Sequence, residues 1–191
     1  MENAPSADDL RAAFTFLWFD PIVGEPSYET LFKLETQATR NAAKFVIRLP
    51  PPHTNLYGIF KQPVVYILQV GAPFPQLPYP GNSPYFPVGA TLVKHQNIQA
   101  AYDDNIKNFL TCQTTDHILK SLLENAIEHS YLDGIHSAIL GFGVRSLQDI
   151  FLHLYQSYGR ISPEELQVNK TSLTTPITSY LPIALIFRQI E

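Results

Sequence analysis

The chain has 191 residues, 45% of them hydrophobic and 16% charged, with a net charge of -4. That balance suits a globular protein with a real core and argues against a general nucleic-acid binder, which carries a basic excess. The single cysteine, Cys112, excludes an intrachain disulfide and any multi-cysteine metal site, leaving a buried free thiol as its expected role.

Residues 1–8 read as a polar, acidic tail, unlike a secretory signal, and the Met-Glu start excludes N-myristoylation. No segment offers the roughly 18 or more apolar residues that span a bilayer. No membrane association and a reducing, cytoplasmic setting are therefore expected. After Asp8-Asp9, the residues Leu10, Ala13, Phe14 and Leu17 predict a short helix ending before Asp20-Pro21. Ser27 is a fair cap for a longer amphipathic helix to about Lys44, sketched by Tyr28, Leu31, Phe32, Leu34, Glu35, Ala38, Ala42 and Phe45. The prolines at 50–52 stop any helix. Arg40, Lys44 and Arg48 fall at fourfold spacing, which reads as a solvated helix face rather than an anion site.

Ten of the sixteen prolines fall between 50 and 87, yet the same stretch holds Tyr57, Phe60, Tyr66, Phe74, Tyr79, Tyr85 and Phe86. Disordered segments are poor in aromatics, so an ordered, extended segment laid over a helical core is expected. Within it, Val64–Leu68 suits either a short strand or one or two turns of helix after Pro63.

Thr91 caps a predicted helix to about Thr111, with Val93, Ile98, Ala101, Tyr102, Ile106, Phe109 and Leu110 inward. Thr114 or Thr115 caps the next, which buries Ile118, Leu119, Leu122, Leu123, Ala126 and Ile127. Tyr131-Leu132 open a short helix toward Ile139, and Gly141-Phe142-Gly143 make a loop. Ser146 and Asp149 form a capping box before the apolar face Leu147, Ile150, Phe151, Leu154, Tyr155 and Tyr158. Gly159 stands where a left-handed residue ends a helix. Ser162, Pro163 and Glu165 then restart one, with Leu166 on its apolar side, reaching about Leu173. Beyond Pro176 a last helix runs from near Tyr180 to Glu191 without a C-terminal cap, so the natural chain is expected to continue.

The chemistry-bearing residues are sparse. Glu124, Glu128, His129 and Asp133 are the densest cluster. Glu124 and Glu128 share a helix face that could hold a divalent ion, though two such carboxylates more often face solvent. Gly141-Phe-Gly143 lacks the third glycine and the strand of a phosphate cradle. Cys112 and His117 have no dyad spacing, and Ser130, Ser137 and Ser146 lack a nucleophile elbow. Asn169-Lys-Thr171 matches a glycosylation sequon that stays unmodified without a secretory signal. No catalytic, cofactor or metal residue is assigned.

One run points to a family. Leu154-Tyr155, Tyr158-Gly159, Ile161-Ser162-Pro163, Glu164-Glu165, Leu166 and Asn169 resemble the Gag-like protein of Copia-type LTR retrotransposons. Pro176 and the segment from Pro182 to Glu191, Tyr131-Leu-Asp-Gly-Ile135 with Gly141-Phe142, Pro21–Ser27, Gly71–Phe74 and Pro78–Gly81 follow the family's pattern in order. The likeness covers roughly residues 20–191. It departs at Pro50–His53 and Tyr57-Gly58, where the family carries a Gly-rich loop with histidine, and at Leu173, where it carries Met.

The resemblance implies a mainly α fold, a capsid-like helical bundle with a proline/aromatic-rich extended segment. Residues 1–20 form a tail and short helix, 21–91 the first long helix and the arm, and 92–191 a helical Gag-like core. It implies a structural protein, not an enzyme, that forms homo-oligomers and assembles around element RNA, with RNA contacts made by segments outside this chain. Leu147, Phe151, Leu154, Tyr155 and Tyr158 are expected to pack against Ile118, Leu122 and Leu166. A host-adopted helical adaptor and a metal-dependent enzyme using Glu124, Glu128 and His129 are the alternative expectations.

Overall fold

The computed structural model describes residues 6–137, 139–143, 145–160, 166, 167, 170 and 171. These form five α-helices: α1 (Ala7–Ala12), α2 (Tyr28–Ala43), α3 (Pro63–Val70), α4 (Leu92–Ala126) and α5 (Leu147–Tyr158). Short 3-10 turns stand at Leu56–Ile59 and His129–Leu132. The fold is mainly α; among the described residues no strand occurs, only the isolated bridge between Ser137 and Gly141. Nor is any described helix long and apolar enough to cross a membrane.

Local chemistry sets most helix starts. Ser27 and Thr30 cap α2 reciprocally, as Ser146 and Asp149 do for α5 and Ser6 and Asp9 for α1. Each box satisfies backbone N–H groups that a helix start leaves without partners. Pro63 occupies the first turn of α3, where its missing N–H costs nothing. Gly71 ends that helix at φ +85°, a left-handed conformation that a side chain disfavours. Of the two readings of Val64–Leu68, the helix is the one observed.

One continuous core takes Leu10 and Phe14 from the N-terminal segment, Leu31, Leu34, Ala38 and Ala42 from α2, and Ile118, Leu119, Leu122, Leu123 and Ala126 from α4. Leu147, Ile150, Phe151 and Leu154 from α5 complete it. The link before α2 also closes the far end of α4, because Ile22 N donates to Ala126 O at 2.8 Å, pairing a carbonyl that the helix end leaves open.

Four expectations are corrected here. The first helix stops at Ala12, and Leu17 is exposed. Asn41 instead engages the backbone of Phe16, holding residues beyond α1 in an irregular path. The two helices expected on either side of Thr114 are one 35-residue helix. Its sequence holds no glycine or proline to break it, so Thr115 sits buried in mid-helix with its hydroxyl unpartnered. The front half of that helix is not core either, since Val93 and Ala101 are exposed. The short helix toward Ile139 is only the 3-10 turn, followed by turns and the Ser137–Gly141 bridge.

The proline-rich arm beyond α3 contains no regular element from residue 72 to 90. It runs back along the front half of α4. Tyr79 packs edge-on to Phe109 with ring centres 5.5 Å apart, Phe86 lies 5.0 Å from His95, and Tyr102 Oη donates to Gly81 O at 2.8 Å.

Candidate functional site

Helix α5, which holds the first residues of the family-like run (Leu154, Tyr155 and Tyr158), is where distant parts of the chain meet. Leu147, Phe151 and Leu154 are buried with Ile118 and Leu122, while Tyr155 and Tyr158 are half-buried against the core. Leu166 is 46% exposed, so the expected core role is corrected for that residue. Ser162, Pro163 and Glu165 lie outside the described residues, as does the predicted helix from Tyr180. Gly159 ends α5 with φ −80°, not in the left-handed region. Space requires the glycine instead, since a Cβ there would stand 2.6 Å from Tyr155 O.

Tyr155 is the hub. Its hydroxyl donates to Glu35 Oε2 at 2.7 Å, and Lys61 Nζ donates to the other oxygen, Oε1, at 2.5 Å. Its ring is tilted against Tyr28, 5.9 Å away. Burial, then the bond to Glu35 and that residue's charge, push the Tyr155 phenol far above its ordinary pKa. The hydroxyl therefore stays protonated at neutral pH as a donor to Glu35. Three elements, α2, the 3-10 turn region and α5, are joined through one carboxylate. One turn further along α5, Tyr158 meets Tyr131 edge-to-face at 5.5 Å.

The N-terminus of α5 is clipped to the 3-10 turn by amides. Gln62 Nε2 donates to Gln148 O at 3.0 Å, and Gln148 Nε2 donates to Gly58 O at 3.2 Å. Gly58 is pressed beneath two rings; a Cβ there would lie 2.3 Å from Phe74 and 2.7 Å from Tyr66. Tyr66 stacks on His53, and its hydroxyl lies 2.9 Å from His53 Nδ1. This aromatic box holds the arm to the body at the place where the sequence departs from the family pattern. The buried amides Gln37, Asn41 and Asn108 were equally unforeseen. Their only sequence signal is a polar residue on an otherwise apolar helix face.

Beside the box lies a cleft of about 450 Å³ between the arm (Pro73, Phe74, Leu77), α4 (Phe109, Cys112, Asp116) and the start of α5. Its charges are already engaged: Asp116 pairs with Lys120 at 2.7 Å, and Lys61 with Glu35. Burial, with a smaller contribution from Asp116, pushes the Cys112 thiol up to about 11. A rise of about two units leaves roughly a hundredfold less thiolate at pH 8. Alkylation of native Cys112 at pH 8 is therefore expected to be slower by about that factor than in urea, followed by mass spectrometry; equal rates would show an open thiol. The unfolded chain loses this proton first, so the group's contribution to stability falls as pH rises above the ordinary thiol range.

The acidic cluster does not assemble a metal centre. Glu124 Oε1 bonds His136 Nε2 at 3.2 Å, and His129 stacks on the His136 ring at 4.8 Å. Among the described residues, no group of three His, Cys, Asp or Glu could hold a metal ion. The row Arg40, Lys44 and Arg48 is not one helix face. Lys44 caps α2, and Arg48 lies beyond it, paired with Asp104.

No protein-family model, curated protein or solved structure matches the chain.

Proposed function

We propose that the chain is a Gag-like structural protein of a Copia-type LTR retrotransposon, self-assembling into a capsid-like particle around element RNA. The observation that supports this reading is that two separated pieces of the family-like pattern pack together, Tyr131 of the tyrosine-led segment against Tyr158 of the run on α5. The entry segment Pro21–Ser27 caps α2, which presents Tyr28 and Glu35 to Tyr155. Residues spaced over most of the sequence thus serve one packing junction, which suits an assembly protein whose motifs are architectural. The junction's polar groups are spent on holding elements together, and RNA would be engaged by segments outside this chain.

The test is sedimentation velocity across a wide concentration range, with electron microscopy of the concentrated samples. Concentration-dependent oligomers and regular particles are expected. A monomer at every concentration would favour the adaptor reading instead.

A further inference from the structure

Where α2 ends, the chain turns against α4 and leaves a cleft of about 580 Å³, a size that takes a small ligand. Its lining holds three cations, Lys44, Arg48 and Lys107, and one carboxylate, Asp104. The cleft beside the aromatic box, by contrast, balances one cation, Lys61, with one carboxylate, Asp116. Lys44 and Arg48 share no helix face, yet both reach this cleft because the chain leaves α2 at Lys44.

Arg48 is set in place by a buried amide. Asn108, 8% exposed, donates through Nδ2 to Arg48 O at 2.9 Å and accepts from Arg48 N at 3.4 Å. An irregular link is thereby fixed to α4 at the residue that carries the guanidinium. Cations gathered about one cleft of an acidic chain create a local field opposite in sign to the net charge. Lys44 also caps α2, where a cation offsets open carbonyls. That role accounts for one charge, not for a convergence from α2, the link and α4.

We propose that this cleft is a binding site for a small polyphosphate, an anion with several phosphate charges in a row. A single carboxylate would neutralise one cation, whereas a chain of phosphates meets all three. The guanidinium fork takes phosphate oxygens in two parallel bonds, and the lysines add point charges. Asp104 is the internal competitor. Its pair with Arg48 is exposed, the Arg48 side chain by 82%, and such pairs contribute little. The guanidinium can therefore exchange that carboxylate for phosphate. The site stands whether or not copies of the chain assemble.

Titration calorimetry of the full chain with sodium tripolyphosphate tests it, with ATP as a second probe that carries the same phosphate chain on a nucleoside. Saturable one-to-one binding that weakens with added salt is expected. Comparable affinity for both probes would assign recognition to the phosphate chain alone. Tighter binding of ATP would place the nucleoside on the apolar wall at Phe45 and Ile47. Lys44→Ala should weaken binding roughly three- to tenfold. Lys94→Ala, the loss of an exposed cation elsewhere on α4, should leave it unchanged. Asp104→Asn should strengthen binding by a similar factor, because the competing carboxylate is gone. Asp103→Asn makes the same charge change one residue away, outside the cleft lining, and should alter binding little. An Arg48–Asp104 pair with only a structural role predicts no such gain. Unaltered circular dichroism of the variants, and unaltered melting without ligand, would show that folding is intact. Three results would each overturn the site: no saturable heat and no ligand-induced rise in melting temperature with either probe, Lys44→Ala binding like wild type, or Asp104→Asn binding no better than Asp103→Asn. Binding of a short RNA without any of tripolyphosphate would overturn it too, marking a nucleic-acid surface instead.

Discussion

Replacing Glu35 by alanine is expected to destabilise the protein by about 2–3 kcal/mol, below the scale for removing one partner of a fully buried ion pair because this pair is only part-buried. The two side chains of the pair are each only 18% exposed. The loss would strand the Lys61 ammonium and leave the Tyr155 hydroxyl without its acceptor, uncoupling α2 from both the 3-10 turn region and α5. Urea unfolding at pH 7 measures it. Glu35→Gln should cost less, because an amide oxygen still accepts one of the two bonds. Adding Lys61→Met to Glu35→Ala should recover part of the loss, since no cation is then left without a counter-ion. A Glu35→Ala loss under about 1 kcal/mol would class the node with ordinary surface ion pairs.

Asn41→Ala is the second large effect. This side chain is fully buried, and its amide serves one residue twice: Phe16 N donates to Oδ1 at 2.9 Å, and Nδ2 donates to Phe16 O at 2.8 Å. Alanine leaves both backbone groups unpaired and opens a small void. A cost of about 2–4 kcal/mol is expected from two unmet hydrogen-bonding groups. Hydrogen exchange adds a positional readout, with protection lost first around residues 14–19, where the chain follows its irregular path. Asn41→Asp keeps an acceptor for the Phe16 N–H but cannot donate to its carbonyl, and should fall between wild type and alanine. Uniform loss of protection across the chain, with no lead at residues 14–19, would count against a local pinning role.

The contrast between these residues and the helix caps shows what a sequence exposes. Ser27, Thr91 and Ser146 were legible because a cap is settled within four residues. The interval from Pro63 to Gly71 was ambiguous because Val and Ile serve strands as readily as buried helices. A proline at the start and a left-handed glycine at the end resolve it. The break expected at Thr114-Thr115 fails because a threonine caps only where the chain leaves the helix, and packing by Ile118, Leu119 and Leu122 keeps it there. Gly159 was placed correctly as a helix end but for the wrong reason, crowding rather than backbone sign. The Glu35 node was illegible: its partners lie 26 and 120 residues away, and no local rule pairs them.

The uninterrupted α4 gives one helix two mechanical characters. At 1.5 Å per residue it is about 52 Å long, while its described buried positions begin only at Asn108. The rear half opens only when the core opens. The front half is held by the arm through a few rings and the Tyr102 hydroxyl, and by the exposed Arg48–Asp104 pair, so it can fray at smaller cost. The same covalent rod is therefore anchored in the core at one end and more loosely held at the other.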